Sequence, residues 1–309
     1  MPTTRPAIPS LLLAWFFVLV WGSGYIGTRI GLRDAAPFTF LALRYAFGVA
    51  VLAPMLWLAS RRVPLRWPDS RAAWRHVLVA GLLMHAANLG GSHYAQYLGM
   101  SAGITALVLA AQPLLTAVAV SALQHERLYR LQWLGVALGL AGVAIVVWHK
   151  IDTRTMSWDA TAAALFSLAA ITTGTLYQRA FCGGVDLRAA GMIQFVASLL
   201  VMAPLAWLVE GFRIRYEWPL PVSIAYLVVF ASILAVNALH TLMRRGEATR
   251  VTSMLYLPPI VAVGLEWAMF GVRPTPLTGA GILVTCVGVA LCAHRRDRGA
   301  PAPTGPEAR

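Results

Sequence analysis

Charged residues are scarce in this chain of 309 residues. They make up 12% of the sequence, against about 25% in ordinary globular domains, while hydrophobic residues make up 59%. Long polar stretches are also missing, because the longest loops between apolar segments, 61–72 and 211–220, are too short to fold alone. These two shortages exclude a soluble domain and predict an integral membrane protein.

Motifs for nucleotide, metal or covalent chemistry are absent from the sequence as well. No Walker-type phosphate loop occurs, which excludes ATP-driven pumping by this chain itself. No loop carries paired carboxylates, a metal-ligand cluster or a nucleophile with its base, so we expect no enzyme activity, no cofactor and no metal. Cys182, Cys286 and Cys292 show neither metal spacing nor an evident pairing, and we interpret them as reduced packing residues.

Apolar segments fill most of the chain. An α-helix needs about 20 apolar residues to cross the hydrocarbon core of a membrane, and ten such stretches can be counted. We therefore predict an all-α integral membrane protein with ten transmembrane helices. The predicted spans are residues 10–32, 38–60, 73–95, 102–124, 131–149, 158–180, 188–210, 221–243, 251–272 and 276–294.

The second half of the chain repeats a pattern from the first half. Gln112-Pro113 is followed thirteen residues later by Glu126-Arg127, and Pro258-Pro259 is followed thirteen residues later by Val272-Arg273. Five predicted spans fall in each copy. A unit with an odd number of spans enters the membrane from the opposite side when it is duplicated, so the pattern predicts two inverted five-helix repeats.

These repeats are predicted at residues 1–150 and 157–294, followed by a disordered cytoplasmic tail at 295–309. With the amino terminus inside, 17 arginine and lysine residues fall in cytoplasmic segments and six fall outside. By the positive-inside rule, we expect both termini in the cytoplasm and the protein in the cytoplasmic (inner) membrane. Topology and contact with anionic membrane lipid then explain the net charge of +13 without a nucleic-acid partner.

The amino-terminal apolar segment has a second interpretation, as a signal peptide with Arg5 as its charged region. The segment continues through Trp21, Tyr25 and Arg29 without a small-residue cleavage site. We therefore interpret it as a retained span.

Several motifs in the chain resemble the EamA repeat of the drug/metabolite transporter superfamily. The resemblance implies ten helices in an inverted repeat around a central cavity, and export or exchange of small metabolites. One departure is Val272, which stands where the first copy has an acidic residue, so no role of that acidic residue is carried over to the second copy. The resemblance rests on Trp21-Gly22-Ser23, Leu43-Arg44-Tyr45, Ser101-Ala102-Gly103, Gln112-Pro113, Glu126-Arg127 and the Leu134-Gly135 to Gly142-Val143 segment, and in the second copy on Gln194, Pro258-Pro259, Gly281 and Gly288.

Polar and aromatic residues recur on one face of six predicted spans, three in each repeat, which is enough to line a cavity. Hydrogen bonding between helices is the alternative, and we favour it for Thr105, Thr116 and Thr173. Aromatic residues near a membrane surface have a further alternative, the interfacial belt. The candidate substrate-binding residues are Trp21, Tyr25, Arg44, His85, Asn88, Gln112, Tyr177, Asn237, His240, Tyr256 and Glu266.

Arg44 and Glu266 are the ionisable residues expected deepest in the spans. Arg44 is expected either to recognise an anion or to tie helices together through backbone carbonyls, and Gln194 is its counterpart in the second repeat. Glu266 is expected to be protonated, to pair with a cation such as Arg44 or His240, or to contact a substrate amine.

Three further features concern helix motion and packing. Pro113, Pro258 and Pro259 remove backbone donors within spans, and we interpret them as candidate gating residues. Tyr25 and Tyr177 are expected to face each other across the cavity. Glycines in spans five and ten indicate packing faces, either within one chain or between two chains of a homodimer.

The sequence therefore predicts a secondary transporter that moves a small-molecule substrate, an amino-acid-like metabolite or related zwitterion, as an exporter or exchanger. Two alternatives stay open: an exporter of lipophilic, cationic drug-like compounds, for which aromatic residues and Glu266 are suited, and a non-transporting membrane scaffold.

Cysteine labelling tests the predicted topology. A single cysteine introduced by Ala302→Cys, with the three native cysteines replaced by alanine, should react with an impermeant maleimide only after the cells are lysed. Glu217→Cys, in the predicted outer loop, should react in intact cells. Labelling of Ala302→Cys in intact cells contradicts the orientation.

Overall fold

The fold is entirely helical in the part of the chain that the structure describes. The structure is a computed structural model, and it describes residues 9–61, 64–124, 128–245, 254 and 256–294. Within these ranges no β-sheet is present, and Ala35 and Ile214 form an isolated antiparallel bridge. Glu126, Arg127 and the predicted tail 295–309 lie outside the described residues.

Helix is present in each of the ten apolar segments that the sequence predicts. We number the α-helices in chain order and name the two π-helical segments by their residues. The α-helices are α1 Ser10–Gly31, α2 Pro37–Ser60, α3 Arg71–Gly81, α4 Asn88–Tyr97, α5 Ala102–Leu109, α6 Gln112–Gln124, α7 Arg130–Asp152, α8 Trp158–Phe181, α9 Leu187–Glu210, α10 Pro219–Tyr226, α11 Val236–Arg244, α12 Pro258–Phe270 and α13 Pro276–His294.

Seven helical stretches of the described chain are long and apolar enough to cross a membrane. α12 and the stretch Pro276–Cys292 of α13 are shorter than this requires, and the stretch Arg71–Tyr97 is not among the seven. The number of ten spans therefore stays a prediction, while the multi-pass membrane fold is confirmed. The seven stretches are Ser10–Gly31, Pro37–Ser60, Ala102–Leu123, Arg130–Asp152, Trp158–Phe181, Leu187–Glu210 and Pro219–Arg244.

Local sequence explains where several helices begin and end. Ser101 accepts a hydrogen bond from the backbone N–H of Ile104 at 3.2 Å and caps α5. Pro258 is the first residue of α12, where its missing N–H and fixed φ are tolerated. Gly211 and Gly271, at φ 63° and 69°, end α9 and α12 in the left-handed conformation that glycine adopts at little cost.

Both π-helical segments lie at corresponding places in the two predicted repeats. Leu82–Ala87 separates α3 from α4, and Leu227–Ala235 separates α10 from α11. π-helical turns are rare, and they are frequent at functional sites. The two π-helical segments start 145 residues apart. Their side chains are therefore candidates for a functional site.

At each end of the bundle, one backbone hydrogen bond joins a loop of the first predicted repeat to a loop of the second. We call the end where α1 stops and α2 starts the far end, and the opposite end, where α2 stops and α3 starts, the near end. At the far end the backbone N–H of Arg215 donates to the carbonyl of Asp34 at 2.8 Å. At the near end the N–H of Asp186 donates to the carbonyl of Arg66 at 3.0 Å.

The predicted glycine packing faces meet within this chain. A methyl group on Gly135 of α7 would lie 2.5 Å from the carbonyl oxygen of Gly288, and one on Gly142 would lie 2.7 Å from that of Gly281. α7 and α13 are therefore in backbone contact, as small-residue interfaces in membranes allow. This pairing accounts for the glycines without a second chain, so a homodimer stays a prediction with no support from them.

Alanine substitution tests this backbone contact. Gly135→Ala forces α7 and α13 apart, because the nearest atoms are backbone and cannot rotate away, and we expect a lower melting temperature. Gly279→Ala is the matched control in α13, since nothing lies within 4 Å of an added methyl group there. The control should be neutral or stabilising by up to about 1 kcal/mol from helix propensity. Equal melting temperatures for the two variants contradict the contact.

Candidate functional site

Glu266 is the centre of a hydrogen-bonded cluster at the far end of the bundle. Its carboxylate accepts hydrogen bonds from the backbone N–H groups of Ala102 and Gly103, each at 3.0 Å, and from the guanidinium of Arg29. The residue is 2% exposed. Of the interactions considered for Glu266 in the sequence, pairing with a cation is therefore found, but the cation is Arg29 and not Arg44 or His240.

The start of α5 explains why a carboxylate is held at this place. The first N–H groups of an α-helix have no partner within the helix and carry partial positive charge, so they favour an anion. Gly103 permits the close approach, because a methyl group there would meet Val263 and lie 3.1 Å from Glu266 Oε2. The guanidinium of Arg29 also stacks over the ring of Phe270, with its carbon 4.4 Å from the ring centre.

A second carboxylate, Glu210, makes the equivalent contact at the start of α2. It accepts from the backbone N–H groups of Phe38 at 2.9 Å and Thr39 at 2.7 Å, and from the Thr39 hydroxyl at 2.7 Å. The preceding residue, Ala36, offers no side-chain cap. Sequence reasoning missed this contact, although an acidic residue at the end of one apolar helix and an uncapped start of another are the signals that indicate it.

Arg44 lies deeper in the bundle, between α2 and the π-helical segment Leu227–Ala235. Its Nη2 donates to Ser232 Oγ at 3.3 Å, its Nε is buried without a hydrogen-bond partner among the described residues, and the residue is 8% exposed. Sequence reasoning missed Ser232 because a serine in an apolar segment carries no distinct signal. The described part of the chain therefore leaves a buried cation with one hydrogen bond, although a guanidinium has five N–H donors.

His85, in the other π-helical segment, takes part in a corresponding cluster. His85 Nε2 donates to Gln194 Oε1 at 3.3 Å, and Gln194 Nε2 donates to Gln178 Oε1 at 2.9 Å. The ring of His85 also lies edge-on to Tyr45 and Phe195, with ring centres 6.3 Å and 5.1 Å apart. This cluster joins the two predicted repeats without an arginine, lysine or carboxylate side chain.

Other predicted site residues form contacts between helices. Asn88 Oδ1 accepts from Ser167 at 2.8 Å, Gln112 donates to Thr175 at 3.3 Å, and the Tyr177 hydroxyl lies 2.8 Å from His76 Nδ1. The carbonyl of Tyr256 accepts from Cys286 at 3.2 Å. These bonds fit the alternative of interhelical hydrogen bonding, and a role of these residues in substrate binding stays a prediction.

The remaining predicted site residues lie on two helices. Trp21 packs its ring against Phe17, with ring centres 5.2 Å apart, and is 39% exposed. Tyr25 follows one turn later on α1, half-buried. Asn237 and His240 lie on α11, and neither contacts Glu266 or Arg44 in the described hydrogen bonds.

The expected pairing of Tyr25 with Tyr177 across a cavity is wrong. Tyr25 is six residues from the end of α1 at the far end, whereas Tyr177 is four residues from the end of α8 at the near end. With a rise of about 1.5 Å per residue, the two positions lie at different depths of the bundle. In the predicted inverted repeats, equivalent residues would lie at opposite depths, and this accounts for the error.

The candidate gating prolines begin helices. Pro113 is the second residue of α6, directly after the turn that separates α5 from α6, and Pro258 and Pro259 are the first two residues of α12. Proline is tolerated at these positions because no donor is lost from the helix interior. New helices thus begin at Gln112-Pro113 and at Pro258-Pro259, which are equivalent places in the two predicted repeats. A role of these prolines in gating stays a prediction.

Comparison with known proteins identifies the family. The model of the EamA-like transporter family matches residues 8–148 and again residues 158–293. The chain belongs to the EamA-like transporter family. It is therefore a multi-pass membrane protein of a transporter family.

Relatives and a solved structure agree with this family. The chain is 29% identical over 279 residues to "Uncharacterized inner membrane transporter YedA" of Escherichia coli (strain K12), covering 86% of this chain and 85% of that protein. It is 26% identical over 292 residues to "Probable amino-acid metabolite efflux pump" of Salmonella typhimurium, covering 90% and 93%. One crystal structure superposes with a TM-score of 0.62 at 18% identity, over 92% of this chain and 96% of the other, which shows the fold alone.

Substitution of Glu266 tests its contacts at the far end. Glu266→Gln leaves one acceptor where the carboxylate had two, turns an N–H group toward the start of α5 and removes the charge that pairs with Arg29. We expect a loss of about 1–3 kcal/mol of unfolding free energy, seen as a lower melting temperature in detergent. Glu217→Gln, at an exposed loop position, is the control and should melt as wild type does. A wild-type melting temperature for Glu266→Gln contradicts these contacts.

Proposed function

We propose that this chain exports or exchanges a small amino-acid-like metabolite by alternating access between two inverted five-helix repeats. The observation that carries the proposal is the Glu266 cluster. It joins α1 and α5 of the first repeat to α12 of the second repeat at the far end. A solute path that opens at the far end requires these contacts to separate, so the cluster is suited to be a gate.

The two-repeat arrangement is supported by matched features of sequence and structure. The family model matches twice, at residues 8–148 and 158–293, close to the predicted repeats 1–150 and 157–294. The loop contacts at the two ends and the two π-helical segments also occur in corresponding pairs. Inverted repeats of this kind are the usual basis of alternating access in secondary transporters.

The two ends differ in charge, which favours one conformation. Glu210 and Glu266 bind helix starts at the far end, whereas their counterparts in the first repeat, 150 and 146 residues earlier, are Ser60 and Val120. Neither counterpart is a carboxylate, so among the described residues these two contacts have no equivalent at the near end, and on this proposal the far end is the more strongly closed. By the arginine and lysine distribution the far end faces outward, so the favoured conformation is closed toward the outside.

An amino-acid-like substrate fits the polar groups better than a lipophilic cation does. Glu266, the carboxylate expected to bind a cation, is already paired with Arg29 and two backbone N–H groups in this conformation. Arg44 instead offers a positive charge that has no ion-pair partner among the described residues. The name of the Salmonella relative, a probable amino-acid metabolite efflux pump, also favours this substrate class.

Flux measurements in proteoliposomes test the function. We expect the purified protein to transport at least one member of a panel of radiolabelled amino acids, measured with and without an imposed pH gradient. We expect no transport of tetraphenylphosphonium, a lipophilic cation that represents the drug-export alternative. Glu217→Gln should transport as wild type does, and empty liposomes set the background. Flux of tetraphenylphosphonium alone supports the drug-export alternative, and no flux of any compound supports a scaffold.

A further inference from the structure

Two clusters in the bundle occupy positions related by the duplication. In each, a side chain from the second helix of one repeat reaches the π-helical segment of the other repeat: Arg44 reaches Ser232, and Gln194 reaches His85. Arg44 and Gln194 are 150 residues apart, and His85 and Ser232 are 147 residues apart, close to the repeat offset of the sequence. The clusters are therefore counterparts whose chemistry can be compared directly.

In the cluster around Gln194, both polar atoms of the Gln194 amide have a partner, Oε1 with His85 and Nε2 with Gln178. Gln194 is buried, as Arg44 is, so the two clusters have similar exposure. A buried polar group with all its partners present is in the ordinary state of a protein interior. Each polar atom of the Gln194 side chain therefore has a partner, in contrast to the guanidinium of Arg44.

The charged cluster is incomplete. A guanidinium carries five N–H donors, yet the described contacts of Arg44 comprise one bond, to Ser232, and its buried Nε has no partner. The Ser232 hydroxyl donates its own proton to the carbonyl of Leu227 at 3.0 Å, so its oxygen faces Arg44 as an acceptor. A neutral hydroxyl does not balance a buried positive charge, which is costly without an anion.

The buried and half-buried carboxylates of the described membrane helices are engaged elsewhere, and Asp152 and Asp159, at helix ends, are exposed. Glu266 is bound to Arg29 and to the start of α5, and Glu210 is bound to the start of α2. The described ion pairs join Arg29 to Glu266 and Arg188 to Asp186, so Arg44 is absent from both. The structure thus holds a buried cation whose counter-charge the described part of the chain does not supply.

We propose that Arg44 and Ser232 form a subsite for the carboxylate group of the transported molecule, between α2 and the segment Leu227–Ala235. When the carboxylate binds, the Ser232 hydroxyl turns from the carbonyl of Leu227 and donates its proton to the carboxylate. The planar fork of an arginine binds a carboxylate through two parallel N–H···O bonds, which selects carboxylates over amides and amines. Leu227–Ala235 belongs to the second repeat and α2 to the first, so the bound carboxylate bridges the two moving halves. The subsite rests on the proposed transport function and specifies one end of its substrate.

Binding of matched acids and amides tests the subsite. The probes are L-phenylalanine, L-leucine and L-threonine, each compared with its carboxamide, and dissociation constants are measured on the full-length protein in detergent. For at least one pair, wild type should bind the acid about tenfold more tightly than the carboxamide, equivalent to about 1.4 kcal/mol. Arg44→Gln should lose this preference, and Arg44→Lys should keep part of it, because the charge remains without the fork.

Melting temperatures separate binding from a structural role. Without ligand, Arg44→Gln should melt at or above the wild-type temperature, because it removes an unpaired buried charge. A brace between helices would instead lose stability on substitution. Arg188→Gln, at an exposed arginine paired with Asp186 near the start of α9, is the control and should retain the acid preference.

The outcomes distinguish the subsite from the function on which it rests. Equal binding of acid and carboxamide by a wild-type protein that transports amino acids overturns the subsite and leaves transport standing. An acid preference that persists in Arg44→Gln also overturns the subsite, whatever the melting temperature. A wild-type protein that neither binds the three acids nor transports any amino acid of the panel overturns both proposals.

Discussion

A carboxylate bound to the start of a helix holds the far end of this bundle together, and much of the remaining structure is arranged around it. In an apolar interior a charge must be paired or bound by several donors, because water is not there to solvate it. Glu266 meets this requirement with two backbone N–H groups and Arg29. Gly103 leaves space for the carboxylate, and the ring of Phe270 stacks against the guanidinium of Arg29. Replacing any of these groups affects the others, since the cluster is satisfied only as a unit.

Duplication followed by divergence explains how one half of the protein differs from the other. The scaffold positions keep their chemistry in both copies: glycines pack α7 against α13, and paired backbone contacts join the loops at the two ends. The polar positions have diverged. Arg44 corresponds to Gln194, and Ser60 and Val120 stand where the second repeat has Glu210 and Glu266. In the proposed mechanism, an inverted repeat with identical charges would have equivalent inward and outward conformations, and these differences would make one of them the more stable.

Several elements were predictable from the sequence, and the reasons are physical. Long apolar runs predict helices because a membrane requires backbone hydrogen bonds to be satisfied within each segment, and the family motifs predict the EamA-like fold. The buried position of Glu266 follows from its place within an apolar run. Its partner could not be predicted, since Arg29 is 237 residues away in sequence and Arg44 and His240 are equally suitable by charge. Ser232 was missed because serine is common in apolar helices. Glu210 was missed because it lies at the end of a helix, outside the apolar core in which we looked for site residues.

The sequence by itself determined the helical membrane fold, the family, the duplication and the set of polar residues among which a site must be sought. These properties depend on composition and on spacing along the chain, which hydrophobic burial translates directly into helices. Only the tertiary structure decided which polar residues are already partnered and which are not. Asn88 and Gln194 are bonded to neighbouring helices, whereas Arg44 keeps an unused donor. Partnership depends on how helices far apart in sequence are rotated and placed against each other, because a hydrogen bond forms only within a narrow range of distance and angle.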